Sequence, residues 1–140
     1  MFKKLIKIWL VKESEKHTPL FKYLEINGYI YILAGVSYFL FPRLPTLFNI
    51  HPALYGNDSG WVRYLGFVGF AMGYYFVFMG RSQNYSLAIA TIFSRVLLVP
   101  ISLTFLILLK ELDLRFIVPV LITDLALGLG ALYFMLKEKI

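Results

Sequence analysis

The chain has 140 residues, of which 59% are hydrophobic, with a mean hydropathy of +0.72 and a net charge of +6. Soluble domains contain about 45–50% apolar residues, and a domain this small has too little interior to bury more, so we expect a lipid bilayer as its solvent. The sequence has no cysteine, which excludes disulfides, thiol catalysis and thiolate metal sites within this chain. Its two histidines lie far apart, and we expect neither a metal nor a cofactor.

The first 22 residues form a basic amphipathic segment. Its apolar residues follow the spacing of one helical face, and its lysines fall mostly on the other side. This pattern predicts an interfacial helix lying on an anionic leaflet, rather than a disordered basic tail. The anchoring residues would be Lys3, Lys4, Lys7 and Trp9. Because the positive charge is concentrated here, it indicates a membrane surface as the partner, and no nucleic acid.

Residues 23–140 contain four apolar stretches, each close to the ~20 residues that a bilayer core requires. They run from about Ile26 to Phe41, Trp61 to Gly80, Ser86 to Leu109 and Phe116 to Leu136. The last two connections are short, so spans two to four should pack as antiparallel neighbours. We therefore expect an all-α fold, an integral membrane four-helix bundle preceded by the interfacial helix.

Lysines and arginines near the spans predict the orientation in the membrane. Nine lie on the side that holds both termini and the turn after span two, and four lie on the other side. Both termini should therefore be cytoplasmic, in a multi-pass protein of a prokaryotic cytoplasmic membrane. Glu25, where span one meets that side, is expected to pair with Lys22 at the interface.

Arg95 and Asp124 lie deep inside spans three and four. An unpaired charge at that depth costs at least ~2.5–3.5 kcal/mol, so such residues face a bundle interior and find a partner. Measured from the same membrane face, they lie at ~13 Å and ~18 Å, which an arginine side chain can bridge. The pair is either an interhelical clamp that fixes register or the floor of a binding site. A neighbouring arginine would favour the charged carboxylate and make Asp124 a poor proton carrier.

Other polar residues could complete a pocket around this pair. Thr91 and Ser102 share a predicted helical face with Arg95, at steps of four and seven residues. Span one presents a second polar stripe at the same steps, made of Asn27, Tyr31 and Tyr38. The alternative for the tyrosines is structural, with buried rings and one hydrogen bond each to a neighbouring helix.

Small residues and prolines indicate how the helices pack. Span two carries a GxxxG motif, Gly69 to Gly73, extended by Gly66, and span four carries Gly128 and Gly130. Such residues allow close approach of helix backbones, either within one chain or in a homodimer. Pro100 and Pro119 should kink spans three and four, because proline removes a backbone hydrogen bond.

Three short motifs resemble known membrane proteins. They are Arg63-Tyr64-Leu65-Gly66 in span two, Ser94-Arg95 in span three and Thr123-Asp124-Leu125 in span four. Together they resemble small bacterial four-helix membrane proteins of the DoxX-like type, and are distantly similar to Erg28-like scaffold proteins. The resemblance implies a compact four-helix bundle and, through its DoxX-like members, accessory roles in redox or quinone-side chemistry. Thiol-redox members have no counterpart here, because this chain has no cysteine.

No catalytic constellation appears in the sequence: there is no phosphate-binding glycine loop and no paired-carboxylate or zincin motif. We therefore expect a non-enzymatic membrane protein that binds a lipid-like or small amphipathic molecule, or a partner membrane protein, around Arg95 and Asp124. One alternative is a small dimeric proton-coupled transporter, although span one lacks the interior acid of small multidrug exporters. The other is an accessory subunit of quinone- or lipid-linked redox chemistry.

Overall fold

The computed structural model describes residues 18–47, 58–109 and 114–139. These ranges contain helices and no strand. The helices are α1 (Pro19–Leu40), the short α2 (Leu44–Leu47), α3 (Asp58–Ser82), α4 (Tyr85–Leu108) and α5 (Leu114–Lys139). The predicted interfacial anchors Lys3, Lys4, Lys7 and Trp9 lie outside the described residues. Helix α1 already begins at Pro19, so Lys22, assigned from the sequence to the interfacial segment, belongs to this helix.

Three helices in the described ranges are long and apolar enough to cross a membrane. They correspond to predicted spans two, three and four, and comprise Asp58–Ser82, Tyr85–Leu108 and Val118–Glu138. This confirms the predicted helical class for the described residues and gives three candidate membrane-spanning helices. Helix α1, which corresponds to predicted span one, has 22 residues and is not among these three; Lys22, Glu25 and Asn27 fall in its first half.

Helices α1 and α3 pack backbone against backbone through glycines spaced seven residues apart. A Cβ atom at Gly28 would lie 2.6 Å from the Val77 backbone nitrogen, and one at Gly73 would lie 2.7 Å from the Gly28 carbonyl oxygen. One level further along, a Cβ at Gly66 would lie 2.7 Å from the Gly35 carbonyl oxygen. Only glycine, which has no Cβ, allows the two backbones to come this close. The seven-residue repeat keeps both seams facing each other, as in antiparallel coiled coils.

The GxxxG motif that the sequence suggested is therefore only half of the contact. Gly73 and Gly66 lie at the interface, but a Cβ at Gly69 would meet its nearest neighbour at 3.6 Å, an ordinary contact distance. The residue that continues the seam is Gly80, where a Cβ would lie 2.8 Å from the Phe21 carbonyl oxygen. The four-residue spacing in α3 does not reveal which glycines face α1, because that also depends on the spacing of the glycines in α1.

Helix α4 contains a π-helical turn from Ser94 to Leu98. The Val99 N–H donates to the Ser94 carbonyl, five residues earlier. Pro100 follows directly, and its ring would clash with the Val96 carbonyl in a regular α-helix, so the wider turn relieves the clash. The kink expected at Pro100 thus takes the form of a π turn. Helix α5, by contrast, continues without interruption through Pro119.

Helix α5 is held beside the N-terminal half of α1. The Leu20 N–H donates to Glu138 Oε1 at 2.6 Å, and the Tyr85 hydroxyl donates to Glu138 Oε2 at 3.2 Å. One carboxylate thereby caps the start of α1 and ties it to α4 and α5. The main buried cluster lies at this end and comprises Leu20, Phe21, Leu24, Phe76, Met79, Ala88, Ile92 and Ala131.

The glycine seam predicts a sharp difference between neighbouring substitutions. Gly73→Ala should lower the free energy of unfolding by about 1–3 kcal/mol, because a methyl group forces the helices apart. Gly69→Ala, one turn away in the same helix, should change it by less than about 1 kcal/mol, because its Cβ has room. Denaturant unfolding in detergent micelles, followed by circular dichroism, measures both. Equal stability of the two variants would contradict the close packing at Gly73.

Candidate functional site

Arg95 and Asp124 form a buried ion pair between α4 and α5. Arg95 Nε lies 3.0 Å from Asp124 Oδ1, and the two side chains are 3% and 13% exposed. The contact uses one nitrogen, so it is a single charge-assisted hydrogen bond and not a bidentate one. Arg95 lies in the π turn of α4.

Tyr31 brings α1 into the same cluster. Its hydroxyl donates a hydrogen bond to Asp124 Oδ1, the oxygen that Arg95 also contacts. The guanidinium carbon of Arg95 lies 4.9 Å from the centre of the Tyr31 ring and 4.3 Å from the centre of the Phe76 ring. The cation is thus neutralised at one edge and covered by two aromatic faces, a favourable arrangement for a desolvated guanidinium.

Two side chains at this level have unmet hydrogen-bonding capacity. Nη1 and Nη2 of Arg95 are buried and have no partner among the described residues. The same holds for both amide atoms of Asn27, which is fully buried. Buried polar groups are nearly always paired, so these exceptions point to a missing partner.

The contacts of α1 place Asn27 on the helix face that packs against α5. Tyr31 bonds to Asp124, and two turns earlier Tyr23 packs against Gly130. Asn27 lies midway between these two tyrosines in α1. It therefore reaches α5 between Asp124 and Gly130, the stretch in which Gly128 packs against Arg95 Cβ.

The other predicted pocket residues are half-buried or exposed. Tyr38 is half-buried but lies two turns beyond Tyr31, about 10 Å along α1. Thr91 is half-buried and makes no hydrogen bond to Arg95 or Asp124 in the described ranges. Ser102 is exposed, because the π turn between it and Arg95 adds a residue and rotates the following positions by about 100°.

Two contributors were missed by the sequence analysis. Phe76 supplies an aromatic face to Arg95, and nothing in its sequence context distinguishes it from other apolar residues of α3. Gly128, predicted only as a helix-packing residue, makes room for Arg95: a Cβ there would lie 3.0 Å from Arg95 Cβ. Gly130 faces the Tyr23 ring in the same way.

A second ion pair closes the α1–α3 interface near its end. Glu25 pairs with Arg81 at 2.8 Å, a partner that the sequence analysis did not identify. Tyr29 donates to the same carboxylate oxygen and accepts from Arg81 Nη2, each at 2.8 Å. Here Nε and Nη2 of Arg81 both donate hydrogen bonds, whereas Arg95 donates through Nε alone. The Glu25–Arg81 pair can therefore be compared with the Arg95–Asp124 pair, as one in which the arginine donates through both nitrogens.

The free polar groups of the Arg95 site can form hydrogen bonds. Its charges cancel, and its free groups are three N–H-bearing nitrogens and one amide oxygen. Among the described residues, no group of three or more histidine, aspartate or glutamate side chains is arranged to hold a metal ion. The site is suited to accept and donate hydrogen bonds in a nearly closed, apolar setting.

The ion pair predicts strongly non-additive mutations. Asp124→Leu should destabilise the protein by about 3–5 kcal/mol, because it leaves a buried cation without its counter-charge. The double variant Arg95→Leu with Asp124→Leu should recover most of that loss, because no buried charge remains. Unfolding in detergent micelles gives both values. A double variant as unstable as the sum of the two single variants would show that the charges are not coupled.

The comparisons with known proteins leave the site to be interpreted from its geometry. No protein-family model, curated protein or solved structure matches this chain. The resemblance to DoxX-like proteins therefore rests on three short motifs, two of which contain the ion pair. What the structure establishes is an all-helical chain with three candidate membrane-spanning helices and a buried arginine–aspartate pair joining α4 and α5.

Proposed function

We propose that this protein is a four-helix integral membrane protein that binds a small, uncharged amphipathic molecule at Arg95 and Asn27. The observation that carries the proposal is the set of buried polar atoms without partners, Nη1 and Nη2 of Arg95 and both amide atoms of Asn27. Leaving such groups unpaired costs about 1–3 kcal/mol each. A bound head group that supplies their partners would remove this cost.

The electrostatics favour an uncharged ligand. Asp124 already neutralises Arg95, so an anion would add an unbalanced charge to a desolvated site. The free nitrogens call for a hydrogen-bond acceptor such as a carbonyl or hydroxyl oxygen. Quinones and lipid esters carry such acceptors on an apolar body. This chemistry connects the site to the quinone- or lipid-linked accessory role implied by the resemblance.

Proton-coupled transport is less well supported. Asp124 Oδ1 accepts hydrogen bonds from both Arg95 and Tyr31, so protonating this carboxylate would disrupt two interactions at once. A carrier carboxylate must gain and lose its proton repeatedly during transport. The two contacts instead fix the carboxylate between α1 and α4, as expected for a binding or structural role.

The surface supports a bilayer as the surroundings. Only 11% of the α4 span is buried, compared with 28% of the α3 span, so α4 presents most of its surface outward. Large apolar side chains cover that surface, among them Leu97, Ile101, Phe105 and Leu108. Exposed apolar area of this extent is unfavourable in water and favourable in lipid, or against another membrane protein.

The ligand site can be tested with uncharged probes. The purified protein in a non-ionic detergent is titrated with decylubiquinone and with a diacylglycerol, and bound molecules are counted by native mass spectrometry. Arg95→Lys keeps the charge next to Asp124 but removes the planar fork of donors. It should weaken binding by at least about tenfold.

Arg81→Lys is the matched control, because it makes the same change in the pair that has no unpaired nitrogen at Nε or Nη2. Its probe binding should equal that of the unchanged protein. If neither probe binds, or if both variants bind equally, the ligand proposal is wrong. Circular dichroism confirms that each variant is folded.

The topology gives a second test, since the chain has no native cysteine. In the proposed orientation Leu47 faces the exterior and Ser82 the cytoplasm; both are exposed in the structure. A membrane-impermeant maleimide should label Leu47→Cys in intact cells, but Ser82→Cys only after permeabilisation. The reverse labelling pattern would invert the topology and contradict cytoplasmic termini.

A further inference from the structure

An open pocket of about 390 Å³ lies where α1 ends and α3 begins, far from the Arg95 site. Its polar wall is formed by Arg43, Ser59 and Arg63, and its apolar wall includes Phe41, Leu44 and Leu47. The pocket therefore combines two positive charges with a hydrophobic surface. No part of the proposed Arg95 function uses these residues.

The arginines retain free donors. Arg63 Nη1 donates to the Phe39 carbonyl at 2.9 Å and so caps the end of α1. The other nitrogens of Arg63, and all those of Arg43, have no hydrogen-bond or ion-pair partner in the part of the chain that the structure describes. Ser59 adds a hydroxyl from the first turn of α3, whose N-terminus carries the positive end of the helix dipole.

Nearby aromatic residues indicate the depth of this pocket in a membrane. Trp61 and Tyr64 flank Arg63 in α3, are 68% and 58% exposed, and have their ring centres 6.3 Å apart. Exposed tryptophan and tyrosine at the end of a spanning helix lie at the level of the lipid head groups. The guanidinium nitrogens of Arg43 and Arg63 that have no partner would then lie at the level of the lipid phosphates.

We propose that this pocket binds the head group of an anionic phospholipid. The phosphate would accept hydrogen bonds from Arg43, Arg63 and Ser59, because arginine matches phosphate oxygens in geometry and charge. The acyl chains would lie over Leu44 and Leu47, which are 39% and 76% exposed. Two positive charges distinguish this site from the neutral Arg95 site and select an anionic lipid over a zwitterionic one.

The test uses the whole protein in a non-ionic detergent, with short-chain phosphatidylglycerol and phosphatidylcholine as probes and native mass spectrometry as the readout. Phosphatidylglycerol should bind at least about tenfold more tightly than phosphatidylcholine, because only the former carries a net charge. Arg43→Gln should weaken phosphatidylglycerol binding by about tenfold or more, and it leaves the Arg63 cap of α1 intact. Arg43→Lys should give an intermediate value, because it keeps the charge but loses the fork.

Lys137→Gln is the matched control, because it removes one exposed positive charge at the opposite end of the helices. Its binding of phosphatidylglycerol should be unchanged. Equal binding of the two lipids, or equal losses in Arg43→Gln and Lys137→Gln, would overturn the proposal. Displacement of the lipid by millimolar inorganic phosphate would show a site for free anions and would also overturn it. None of these outcomes depends on uncharged probes binding at Arg95.

Discussion

The burial of the Arg95 guanidinium constrains the arrangement of the other helices around it. A cation that is 3% exposed within an apolar span needs a counter-charge and a polarisable surface, and no single helix supplies both. Asp124 of α5 provides the charge, Tyr31 of α1 holds the carboxylate, and Phe76 of α3 covers the guanidinium face. All four long helices thus meet at one side chain. Changing the register of any of them would separate the cation from one of these partners.

The glycine seam between α1 and α3 allows this convergence. Backbones in contact at Gly28 and Gly73 bring Tyr31 and Phe76 close enough that their rings meet edge to face at 5.2 Å. The two rings then form one surface for Arg95. On the opposite side, Gly128 leaves room for the aliphatic stem of Arg95 beside α5. Glycines on three helices therefore set the distances at which a charged side chain can be enclosed.

The contrast between the two ion pairs supports different roles for them. In the Glu25–Arg81 cluster, Arg81 uses Nε and Nη2, and Tyr29 bridges both partners. This arrangement needs nothing further to hold α1 against α3. Arg95 uses Nε alone, and its remaining nitrogens are buried without a partner among the described residues, as are both amide atoms of Asn27. The difference in hydrogen-bond satisfaction, more than the burial of charge, distinguishes a candidate ligand site from a clamp.

The sequence by itself predicted the helical class, four apolar stretches of which three are candidate membrane-spanning helices, and the two charges that must find each other, because hydropathy and the cost of burying a charge are properties of local composition. Tertiary structure decided which groups meet those charges. The π turn before Pro100 moved Ser102 out of the predicted polar face, since one added residue rotates every later position. Phe76 became a partner of Arg95, and Gly80 replaced Gly69 at the interface, because contacts depend on how two helices align and not on the pattern of either one.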